Sequence, residues 1–214
     1  AAMIFFAGSC SKSFLNEKPY SSYTPVALSD SLGFEASLVG LYNHVSTIFS
    51  WADQQGWPSV WQVGTDVANA TANQQGVEIP YYNYEQLTST DVGAARIWNR
   101  YYILVNLTNT IIDGVENAAI TNISQSGKNA ISAEAKFFRA YAYNNLATLF
   151  GKVPLTLHPL TGPKTDYTRA SLDEVNNAII SDLTFAITNL PDIDEVKSNS
   201  KGKMYARANK YMAM

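Results

Sequence analysis

Residues 133–160 read AEAKFFRAYAYNNLATLFGKVPLTLHPL. Ile131, Ala135, Phe138, Ala142, Leu146 and Leu149 recur at helical spacing and share one face, so the first part is a helix, expected over 130–150. Ala133, Ala140, Ala142 and Ala147 are small enough to let neighbouring helices approach closely. The helix stops at Gly151, because glycine adopts a positive φ at a helix end without a Cβ penalty. Pro154 then keeps the chain extended, with Val153 and Leu155 on either side of it. Glu134 and Arg139 are five residues apart and are not an ideal same-face pair, so each is expected to meet a neighbouring helix.

Outward from this stretch the pattern stays helical. Phe34, Leu38, Leu41, Val45 and Ile48 mark a helix beginning at Ser31. Ile97, Tyr101, Leu104, Thr108, Ile111 and Val115 mark a second over about 92–116. TNISQSGKN reads as a loop before the third helix. Ser171 caps a fourth, with Glu174 three residues on and Val175, Ile179, Leu183, Ile187 and Leu190 as its stripe, and Pro191 ends it. A fifth begins near Tyr205. Between the first and second helices, residues 51–90 are rich in Gln, Asn, Gly, Thr and aromatics and lack the helical period; EIPYYNYEQL alternates enough for a short strand. The expected fold is mainly all-α, a helix-hairpin array of the tetratricopeptide kind carrying a long irregular aromatic-rich loop region.

The first ten residues, AAMIFFAGSC, form an apolar-to-small run too short to span a bilayer. They read as the tail of a signal peptide closing in a bacterial lipobox, with Cys10 as the lipidated residue. Residues 11–28, rich in Ser, Pro and Tyr, read as a tether, and 29–214 as the helical domain, cut short at its C-terminal end. Cys10 is the sole cysteine, and His44 and His158 stand far apart, so neither a disulfide nor a metal-ligand spacing is present and no cofactor is implied. The net charge of −3 offers no nucleic-acid footprint.

The order of residues in the opening stretch resembles the signature of the SusD/RagB family of outer-membrane nutrient-binding lipoproteins. Glu134, Ala135, Phe137, Arg139, Ala140, Tyr143, Leu146, Leu149, Phe150, Gly151, Val153, Pro154 and Leu155 match it, while Phe138 replaces its usual Leu and Asn144 its second aromatic. KSFLNEKP after Cys10, the Trp98, Tyr102, Val105, Asn109 and Ile112 series, and RASLDEVNNAIISDLTFAITNLP resemble three further family blocks in the same order. The resemblance covers nearly the whole chain. It implies a non-catalytic protein that captures a neutral glycan or oligosaccharide and passes it to a TonB-dependent transporter of the SusC kind. It also implies a lipid-anchored place on the cell outer membrane. The signature itself reads as packing, not ligand contact.

No ligand residue carries over by motif, so candidates rest on chemistry. Neutral sugars present flat C–H faces to aromatic rings and hydroxyls to amides and carboxylates. Residues 51–86 hold both kinds, and no Lys or Arg occurs between Lys18 and Arg96. The candidates are Trp57, Trp61, Asp66, Asn73, Tyr81 and Tyr82. Trp61 and Tyr82 fit packing as well as binding; Trp57, beside Pro58 in a polar stretch, fits binding better; Trp98, on a patterned helix, belongs to the core. A glycoside hydrolase would need two carboxylates facing one sugar, and no acidic pair sits in such a motif. A helical-repeat adaptor that binds a protein, or a peptide-binding lipoprotein, is the alternative.

Overall fold

The computed structural model describes residues 28, 30–49, 57–68, 78–117, 120, 122–160, 162–192 and 207–214. Cys10, most of the expected tether and Asn73 lie outside them. Among the described residues every regular element is helical: α1 Ser31–Ile48, α2 Trp57–Gln62, α3 Ile79–Tyr82, a 3-10 turn Tyr84–Gln86, α4 Val92–Asn117, α5 Gln125–Phe150, α6 Leu172–Asn189 and α7 Lys210–Ala213. The expected mainly α fold is what forms.

The centre of the molecule is α5. It packs along α4 on one side and α6 on the other, and α1 lies against both α4 and α5. The core joins Phe34, Leu38 and Leu41 of α1, Ile97, Tyr101 and Leu104 of α4, Phe138 and Leu146 of α5, and Val175 and Ile179 of α6. Ala135, Ala140 and Ala142 are buried within it, and Ala133 is buried in a smaller cluster with Ala186, Leu190, Ala208 and Ala213. The alanines of the opening stretch are thus the surfaces against which the neighbours close.

Glu134 and Arg139 of that stretch are buried and reach out of their own helix. The Arg139 guanidinium grips the Asp182 carboxylate on α6 through Nε and Nη2, at 2.7 and 2.8 Å. Its Nη1 donates to Asn109 Oδ1 on α4 at 2.9 Å and to the Leu157 carbonyl at 3.1 Å. Glu134 accepts from the Tyr42 hydroxyl on α1 at 2.5 Å and from Arg207 Nη2 at 2.6 Å. Tyr42 in turn accepts from the Ala208 amide at 2.6 Å.

Gly151 ends α5 with φ 70°, its amide donating to the Ala147 carbonyl at 2.9 Å. The extended run beyond it is held by side chains of the helices beneath. Tyr102 donates to the Pro154 carbonyl at 2.8 Å, and Asn109 Nδ2 lies 3.0 and 3.1 Å from the Thr156 and His158 carbonyls. The Tyr143 hydroxyl donates to the Thr156 carbonyl at 2.9 Å and accepts from the Thr156 amide at 2.7 Å.

Two sequence expectations are corrected. EIPYYNYEQL forms α3 and a 3-10 turn in place of a strand, because Pro80 is preorganised for a helical first turn and the Asn83 side chain caps the next turn at the Glu85 amide. The third helix starts at Gln125, not Ala130: Ser124 accepts from the Gly127 amide at 3.1 Å, so most of the expected loop is its first turn. The fifth helix expected near Tyr205 falls on residues outside those described; the described residues beyond it form α7, capped by Asn209.

Candidate ligand-binding face

The described part of the aromatic-rich region folds into α2, a turn reaching Ala68, α3 and the 3-10 turn. Gly64 decides how closely these pieces meet. Its φ is +80°, and a Cβ there would sit on the Tyr81 carbonyl oxygen and within 2.6 Å of the Tyr84 hydroxyl oxygen. The chain after α2 therefore lies directly against α3. The Gly64 amide closes the turn by donating to the Ala68 carbonyl at 3.1 Å.

The aromatics then divide by direction. Trp61 turns inward, edge-on to the buried Tyr101 ring with centroids 6.3 Å apart. Tyr81 also turns inward and donates its hydroxyl to Asp91. Asp91 accepts from the Ala94 amide at 2.8 Å as well, so Tyr81 braces the carboxylate that caps α4. Burial, and then this hydrogen bond, push the Tyr81 phenol well above its ordinary value. Tyr82 and Tyr84 turn outward, 43% and 64% exposed, with Leu87 and Val67 also exposed. The Tyr84 hydroxyl reaches the Gly64 carbonyl only at 3.4 Å, a long contact that leaves most of its bonding capacity to an incoming group.

Of the six sequence candidates, the structure brings Trp61, Asp66, Tyr81 and Tyr82 onto adjoining segments. Tyr82 and Asp66 face solvent, whereas Trp61 and Tyr81 pack inward. Trp57 opens α2, and Asn73 lies outside the described residues. Among the described residues of this region, Tyr84 is the aromatic the six omit. Its signal was its setting: a ring between Asn83 and Glu85, in a polar run, has no core-facing neighbour to pack with.

The face is acidic where it is charged. Asp66 and Glu85 are exposed, and no Lys or Arg occurs in 57–95. Among the described residues no group of three or more His, Cys, Asp or Glu is placed to hold a metal ion. His44 is half-buried on α1 with Nε2 2.9 Å from the Arg100 carbonyl, and burial pushes its pKa down; it is a packing residue. His158 lies exposed in the extended segment, and Trp98 packs edge-on to Phe150 at 5.1 Å. No described helix is long and apolar enough to cross a membrane.

Residues 13–213 match a SusD-like family described as "Starch-binding associating with outer membrane". The chain belongs to the SusD-like family. A SusD-like protein of Bacteroides ovatus is 28% identical over 195 residues, which cover 89% of this chain and 34% of that protein. The chain thus spans about a third of the length of that curated relative. Among solved structures, a laminarin-binding SusD-like protein superposes with a TM-score of 0.71 at 24% identity, over 86% of this chain and 38% of the other. A structure described as with xylogluco-oligosaccharide superposes with a TM-score of 0.61 at 24% identity, over 85% of this chain and 32% of the other. At that identity these two likenesses establish the SusD-like helical fold of the chain.

Proposed function

We propose that this SusD-like chain serves the capture of a neutral oligosaccharide at the bacterial outer membrane, without catalysis, and that the sugar is handed to a TonB-dependent transporter of the SusC kind. Cys10 is the proposed lipid anchor. The family's starch-binding description and the glycans named for two structural neighbours support the ligand class. The observation that carries the reading is the outward pair Tyr82 and Tyr84 on a segment, 57–95, without a Lys or Arg of its own. Two exposed rings supply apolar platforms for sugar C–H faces, and their hydroxyls with the neighbouring Asp66 and Glu85 supply hydrogen-bond partners.

Calorimetric titration of neutral glucan oligosaccharides into the protein and into a Tyr82→Ala/Tyr84→Ala variant tests it. Both rings stand clear of the core, so the variant is expected to fold. The expected result is binding by the wild type, weakened at least ~10-fold in the variant, about 1.4 kcal/mol. Equal binding by the two proteins moves the site elsewhere, and binding of peptides with no response to glycans replaces the reading.

A further inference from the structure

An aromatic cleft opens along α4, about 210 Å³ in volume, lined by Trp98, Tyr102, Pro154 and Tyr167. That is below the ~300–1,000 Å³ of pockets for drug-sized ligands, and near the size of a single ring. Its walls are fixed. Trp98 lies between Phe150 and Tyr102, with centroids at 5.1 and 4.8 Å, and the Tyr102 hydroxyl is tied to the Pro154 carbonyl. No Asp, Glu, Lys or Arg lines it.

The polar groups at its edge are only half committed. Asn106 Oδ1 accepts from the Leu160 amide at 3.0 Å, which fixes the side chain, while its Nδ2 donors have no partner among the described residues. An oriented amide with free donors beside three rings suits a polyhydroxylated ring better than an aliphatic side chain, which would leave those donors buried and unpaired. The cleft is also not closed off. It shares Thr156 and Leu160 with a wider open groove of about 640 Å³ lined by residues 155–160, 162–164 and 166. The one cation and one carboxylate of that groove face each other, Lys164 Nζ lying 4.0 Å from Asp166 Oδ1.

We propose that this cleft is a second carbohydrate site, which takes one terminal pyranose ring of a neutral oligosaccharide while the following sugars lie along the adjoining wider groove. The proposal rests on the reading that this chain meets neutral sugars, but it uses none of the residues of the Tyr82 and Tyr84 face.

The test is a titration of ¹⁵N-labelled protein with neutral oligosaccharides, following the Trp98 indole N–H and the Asn106 side-chain amide. Wild type, Tyr82→Ala/Tyr84→Ala and Tyr167→Ala are compared; Tyr167 is 39% exposed and its removal spares the core. The expected result is that both cleft signals shift in the wild type and in the Tyr82→Ala/Tyr84→Ala variant, and that Tyr167→Ala weakens the response at least ~10-fold. Shifts confined to residues 60–87 overturn the second site and leave the first reading intact. Cleft shifts alone uphold the second site and overturn the first. Silence toward every sugar, or cleft shifts with an apolar peptide only, overturns the proposal.

Discussion

Arg139 is the residue on which most of the structure converges. Its side chain is 7% exposed and its partner Asp182 6%, so neither charge has water to fall back on. A buried ion pair is weak evidence for stability as a whole, but removing one partner strands the other. Asp182→Ala is therefore expected to cost ~3–5 kcal/mol in urea unfolding. Arg139→Met with Asp182→Leu is expected to recover only part of that, because the double change also leaves Asn109 Oδ1 and the Leu157 carbonyl without their donor. A double variant no better than the single one would mean that the network matters for the loop it holds more than for its charges. The sequence placed Arg139 and Glu134 against neighbouring helices, because five residues is the wrong spacing for a pair on one helix. It did not name Asp182, Asn109, Tyr42 or Arg207 as their partners, since contacts 30 to 92 residues apart leave no local pattern.

Among the elements, α6 is the best determined by its own sequence. Ser171 and Glu174 form the reciprocal capping box, the Ser171 amide donating to Glu174 Oε2 at 2.7 Å and the Glu174 amide to Ser171 Oγ at 3.2 Å. Ser171→Ala is expected to cost ~0.5–2 kcal/mol in chemical unfolding. The box also carries a pH dependence. The Ser171 amide, and then its hydroxyl, hold the Glu174 carboxyl below its ordinary value of 4.5. A depressed carboxyl contributes stability that is fully present above the unfolded value and is lost as pH falls through the folded one. Glu174→Gln should thus show a smaller drop in Tm than the wild type when the pH is taken from neutral to below 4.5; an identical drop would assign the acid sensitivity to other carboxylates. The same local logic explains which elements were legible. Strong stripes with caps, as in α1 and α6, were read to within a residue or two of their ends. The first turn of α5, Gln-Ser-Gly-Lys, is polar and carries no stripe, so only its Ser124 cap betrays it. In α3 the aromatic alternation imitated a strand, and Pro80 outweighed it.

For the whole molecule, charge distribution separates ligand classes better than any single residue. Between Lys18 and Arg96 the chain carries seven carboxylates and no Lys or Arg, so a site built from this segment is expected to repel anions. That much was legible in composition. What composition hid was direction: Trp61 and Tyr81 were as plausible as Tyr82 on paper, and the fold turns the first two in, against α4, and Tyr82 and Tyr84 out. The charge pattern yields the last prediction. Stacking and neutral hydrogen bonds do not release counter-ions, so affinity for a neutral oligosaccharide should change less than ~2-fold between about 50 and about 500 mM salt. A uronate oligomer of equal length should bind at least ~10-fold more weakly at the low end, and the gap should narrow as salt screens the carboxylates. Calorimetry at the two salt concentrations reads both. Tighter, salt-sensitive binding of the anionic glycan would move the site off the 57–86 face and onto the part of the chain that carries Lys152, Lys164 and Arg169.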